Sequence, residues 1–82
     1  MATKAQVLSK AIKLGYAIED TSFDIRLEAP KGYCFDQDHH ELVSEYGDMS
    51  MATKAEAWQD IYNYIGTAEL CEIEECDWCN GN

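Results

Sequence analysis

Basic side chains are scarce in this chain: six Lys and Arg stand against 16 Asp and Glu, for a formal net charge of −10. Phosphate backbones are gripped by clustered Lys and Arg, so direct nucleic-acid binding through a basic patch is disfavoured. Proline occurs once and glycine five times, which leaves no Pro-rich linker and no glycine-rich phosphate loop. No apolar run approaches the ~20 residues that a membrane-spanning helix needs. The opening Met1-Ala2-Thr3-Lys4-Ala5-Gln6 lacks the basic-then-apolar pattern of a secretory leader. We therefore expect a cytoplasmic protein without a membrane role, whose four cysteines are reduced or metal-bound rather than disulfide-paired.

With 82 residues the chain supports one hydrophobic core. A single domain is expected, with its core over about 3–66 and a tail over 67–82. Hydrophobic residues make up 46% of the chain, enough to exclude wholesale disorder. The charge is uneven: residues 1–41 hold five bases and seven acids, whereas 42–82 hold Lys54 alone against nine acids. A face of that kind keeps a protein soluble and also suits a basic partner surface.

Thr3 and Gln6 have capping-box spacing, and Val7, Leu8, Ala11, Ile12 and Leu14 then recur at helical spacing up to Gly15. The spacing predicts a helix over 4–14. The same device returns at Thr53 and Glu56, before a stripe of Trp58, Ile61, Tyr62 and Ile65 that ends at Gly66. Between the helices, Phe23, Ile25, Leu27 and Ala29 alternate with polar residues, the period of a half-buried strand. Ala29-Pro30-Lys31-Gly32 reads as a type I turn into a return strand at Tyr33-Cys34-Phe35, and Leu42–Tyr46 as a third strand. Glu19-Asp20-Thr21-Ser22 reads as a turn. The fold class is then α+β: helix, three-stranded antiparallel sheet, helix, with both helices on one face of the sheet and a short Cys-rich C-terminal tail that starts as a helical turn and folds its apolar residues Leu70, Ile73 and Trp78 back onto the domain. That element order is also the order of double-stranded-RNA-binding domains, a likeness of topology alone, since the second helix offers only Lys54 to phosphates.

The densest chemistry is Cys71-x4-Cys76-x2-Cys79. Thiolates bind zinc tetrahedrally, and a two-residue gap lets one turn present two sulfurs to one ion. Cys34, His39 or His40 can complete a set with Cys71, Cys76 and Cys79, and Cys34 is the expected fourth ligand of a zinc ion in this reading. A dithiol redox role for Cys76 and Cys79 is disfavoured, because Glu74, Glu75 and Asp77 raise rather than lower thiol pKa values. Adjacent His39 and His40 in extended chain face opposite sides and rarely serve one ion. Asp36 and Asp38 lack the glycine and the further ligands of a calcium loop. Neither a nucleotide fingerprint nor a Ser-His-Asp spacing is present, so no enzyme is expected.

Several short segments resemble those of small uncharacterised proteins of tailed bacteriophages, including phages of marine cyanobacteria. They are Thr3-Lys4-Ala5, Ala29-Pro30-Lys31-Gly32, Ala55-Glu56-Ala57-Trp58 and Cys76-Asp77-Trp78-Cys79. The resemblance implies a phage origin and a bacterial cytoplasm, and it implies no activity. The leading expectation is a non-enzymatic accessory protein that binds a host or phage protein through Glu69, Glu72, Glu74, Glu75, Asp77 and Tyr64, with mimicry of nucleic acid as one variant. The alternative is a small zinc-stabilised structural module.

Overall fold

The computed structural model describes residues 1–36, 39–47, 51–72 and 76. Helix α1 spans Lys4–Leu14 and helix α2 spans Lys54–Tyr64. Strands β1 (Ala17–Asp20), β2 (Asp24–Glu28) and β4 (Glu41–Glu45) form an antiparallel sheet with β2 in the centre. Strands β3 (Tyr33–Cys34) and β5 (Glu69–Leu70) pair separately as a short antiparallel ribbon.

Both helices begin on complete capping boxes. Thr3 accepts from the Gln6 amide while the Gln6 side chain takes the Thr3 amide, and Thr53 and Glu56 do the same. These bonds satisfy amides that a helix start leaves open. Helix α1 ends at Gly15, whose φ of 84° lies in the left-handed region. A Cβ there would meet only Pro30 at ordinary contact distance, so it is the backbone conformation, not space, that calls for glycine.

The two boxes differ in one testable respect. The Thr53 amide and hydroxyl hold the Glu56 carboxyl below its ordinary value. Folding thus favours the ionised form, and its stabilisation is present above the ordinary carboxylate range and fades as pH falls through the lowered value. Gln6 does not titrate. On acidification, 13Cα shifts at residues 54–57 should move toward coil values before those at 4–7, and Glu56→Gln should abolish the difference. Parallel movement of both segments would refute this.

The core is one cluster under the sheet. Val7 and Ala11 from α1 and Ala57, Trp58 and Ile61 from α2 meet Ile25 and Leu27 of β2, with Tyr16, Tyr46 and Ile65 around them. Both helices therefore cover the same face, as the stripes predict. In register, Leu27 lies between Ile18 and Leu42, while Arg26 lies between Glu19 and Val43 on the open face.

The strand assignments differ from the expected ones. Glu19 and Asp20 are not a turn but the end of β1. Asp20 tolerates strand conformation because the Lys4 and Lys54 ammoniums reach it at 3.5 and 3.3 Å and the Tyr46 hydroxyl at 3.3 Å. β2 pairs with β1 on one side and β4 on the other, not with Tyr33–Phe35. The turn itself is real but one residue later: the Tyr33 amide donates to the Pro30 carbonyl, and Gly32 at its third position has φ 91°, as a type II turn requires. Phe23 precedes β2 and stays half exposed instead of joining the core face. Beyond α2 the chain forms β5 rather than a helical turn, and Leu70 remains exposed rather than folding back, while Ile73 and Trp78 lie outside the described residues. No helix among the described residues is long and apolar enough to cross a membrane.

Candidate metal centre

The β3–β5 ribbon sets two sulfurs side by side. Tyr33 pairs with Leu70 and Cys34 with Glu69, and the Cys71 amide continues the ladder by donating to the Gly32 carbonyl at 2.8 Å. Cys71 is thus opposite Gly32, two residues from Cys34. Side chains two apart share a face of a ribbon, so Cys34 and Cys71 are diagonal neighbours on one side. Tyr16 anchors the ribbon to the core: its ring lies 6.0 Å from that of Phe35, and its hydroxyl accepts from the Ala68 amide.

A tight loop brings the third group. Asp36 and His39 form an isolated antiparallel bridge, and the Phe35 amide donates to the His39 carbonyl at 2.8 Å. The chain reverses there and returns His40 alongside Tyr33. His40 Nδ1 lies 2.9 Å from the Tyr33 carbonyl oxygen. A carbonyl only accepts, so Nδ1 carries the proton, and in the neutral ring Nε2 offers its lone pair. That nitrogen faces Cys76 Sγ at 3.2 Å.

The ligand atoms of His40, Cys71 and Cys76 all lie within 4.8 Å of one another, a group that could hold a metal ion. Tetrahedral zinc with ordinary bond lengths has ligand–ligand edges of roughly 3.5–3.8 Å. The 3.2 Å between His40 Nε2 and Cys76 Sγ and the 4.8 Å limit on the whole group bracket those edges. Cys34 adjoins the group: burial, first, and then the neighbouring sulfurs of Cys71 and Cys76 and the Asp36 carboxylate push its thiol above its ordinary value. Negative charge on clustered, buried sulfurs is unfavourable unless a cation lies among them.

The expected ligands separate as follows. Cys34, Cys71 and Cys76 come together. Cys79 lies outside the described residues. His40 joins the cluster, whereas His39 points away, two-thirds exposed and 3.8 Å from Asp36. Adjacent histidines facing opposite sides was the sequence-level clue, but only the Asp36–His39 loop decides which one turns inward. Of the expected partner-binding residues, Tyr64, Glu69 and Glu72 are exposed, and Glu74, Glu75 and Asp77 lie outside the described residues. Comparison of the chain with family models, with curated proteins and with solved structures gives no match.

Proposed function

We propose that this protein is a small zinc-stabilised binding module in which Cys34, His40, Cys71 and Cys76 hold one ion. The observation that carries the reading is the orientation of His40. Its Nδ1 donates to a backbone carbonyl while its Nε2 is presented to Cys76. Metal-binding histidines are fixed in this way, because the bond at one nitrogen selects the tautomer and aims the other.

The donor set supports zinc over harder cations: three thiols and one imidazole suit a borderline-soft ion, whereas calcium and magnesium take oxygen. Four protein ligands leave no open position for water or substrate, so the role is structural. The ion would join the loop before β4 to the segment after α2, two stretches far apart in sequence. A domain of this size gains from such a tie, since its core is thin.

Native mass spectrometry on protein purified without chelator tests the reading. The expected result is one zinc per chain, lost on denaturation. A bare chain with four titratable thiols after purification in zinc-containing buffer would overturn it.

A further inference from the structure

Two clefts lie beside the ribbon, and Cys34 of the cysteine cluster lines the smaller of them. One, of about 250 Å³, is lined by Cys34, Phe35, Asp36, Glu69, Leu70 and Glu72. The other, of about 540 Å³, is lined by Phe35, Asp36, His39, Leu42, Tyr64 and Thr67 with Asn63. They share Phe35 and Asp36, so they are two halves of one depression. Its larger half is apolar, with Phe35, Leu42 and the exposed ring of Tyr64. Its smaller half is acidic, with Glu69 and Glu72 both exposed.

We infer that this depression binds a basic peptide segment, with an apolar side chain in the Tyr64 half and Lys or Arg against Glu69 and Glu72. Three features select this occupant. The first is charge, because the chain carries −10 and the C-terminal half holds most of the excess. A cationic segment is drawn to such a surface and an acidic one is repelled.

The second is the end of α2. Asn63 and Tyr64 belong to its last turn, which contains no basic residue. A helix C-terminus carries partial negative charge. Lys10 of α1 reaches the Tyr62 carbonyl at 3.4 Å, beside a different hollow lined by Lys10, Lys13 and Tyr62. Among the described residues lining the depression, the charged ones are Asp36, Glu69 and Glu72, with His39 beside Asp36.

The third is shape and chemistry. The larger half fits one or two side chains. An exposed tyrosine at its wall is the residue type that anchors protein interfaces. The ion of the preceding section would hold the wall that contains Phe35 and Asp36, yet the contacts proposed here are made by side chains that do not bind it.

Three labelled ten-residue peptides test the inference by fluorescence anisotropy: one with Phe and Leu among Lys residues, one with Ser replacing the apolar residues, and one with Ser replacing Lys. The mixed peptide should bind at least tenfold tighter than either control. Tyr64→Ala and the pair Glu69→Lys/Glu72→Lys should each weaken it tenfold or more, with unchanged circular dichroism. Glu45→Lys, on the open face of the sheet, should change affinity less than twofold. Equal binding of the Lys/Ser peptide, indifference to Tyr64→Ala, or an equal loss from Glu45→Lys would each overturn the inference in favour of diffuse charge attraction. The titration is run on zinc-loaded and on chelated protein. Selective binding by a chain that takes up no ion would remove the zinc reading and leave this one standing. A zinc-loaded chain blind to the peptide series would do the reverse.

Discussion

Chelating zinc from the folded protein is expected to lower its thermal midpoint by about 15–30 °C, given ~4 kcal/mol of linkage at free zinc a thousandfold above Kd and about 4–8 °C per kcal/mol in a domain this small. The reasoning is mass action: an ion held by the native arrangement and not by the unfolded chain stabilises in proportion to its occupancy. Differential scanning fluorimetry with and without chelator reads the shift, and restoring zinc should reverse it. His40→Ala should abolish most of the response, because it removes the one nitrogen that faces Cys76 across 3.2 Å. Cys79→Ser is the informative comparison. Should Cys79→Ser abolish the response while His40→Ala leaves it intact, the ion is held by the cysteine set expected from the sequence and the His40 assignment fails. A midpoint indifferent to chelator would sink the structural role altogether. Acidification works in the same direction as the chelator, since thiols must lose protons to bind and protonation returns them.

Leu27→Ala is the second large effect. Leu27 is fully buried in the central strand, between Ile18 and Leu42 and beneath both helices. Truncating a fully buried leucine leaves a cavity in the packed core, so about 3–5 kcal/mol of destabilisation is expected. Total stability for a chain of this length is roughly 4–12 kcal/mol. Urea titration should therefore find the metal-free variant largely unfolded at low denaturant. Zinc-loaded Leu27→Ala should recover a cooperative transition, which ties the two predictions together. Val43→Ala serves as the control: its side chain lies on the open face, across from Arg26, and the change should stay within about 0.5 kcal/mol. Equal losses at the two positions would mean that the sheet has no preferred inner face.

The parts of the fold that were legible in the sequence are those whose cause is local. Capping boxes at Thr3 and Thr53, and the alternation of Ile25, Leu27 and Ala29, each state their geometry within a few residues. Strand β1 was illegible because Glu19 and Asp20 read as turn residues; what makes them strand is pairing with β2 and three polar partners on other elements. The hairpin was misassigned for the same reason. The turn at Pro30–Tyr33 is encoded locally, but whether the chain after it returns to β2 or departs to β5 is decided by a segment almost forty residues later. In the candidate site, cysteine density pointed to Cys71 and Cys76, which lie in the group with His40, and to Cys79, which is outside the described residues. Choosing His40 over His39 needed the loop that follows Phe35, which no spacing rule supplies.

Asp20 also fixes a direction. Because the first residue of each helix sends its lysine to that one carboxylate, α1 and α2 run parallel rather than antiparallel. Antiparallel helices cancel their peptide dipoles; these add. The molecule is thus an electric vector, with its amide-rich pole beside Asp20 and its carbonyl-rich pole beside Tyr64 and the acidic depression. If the depression takes a basic segment, as inferred above, an approaching cationic surface would exert a torque on this body before any contact forms and turn its Tyr64 end toward that surface during diffusion. The effect belongs to the association rate and weakens as added salt shortens the reach of the field.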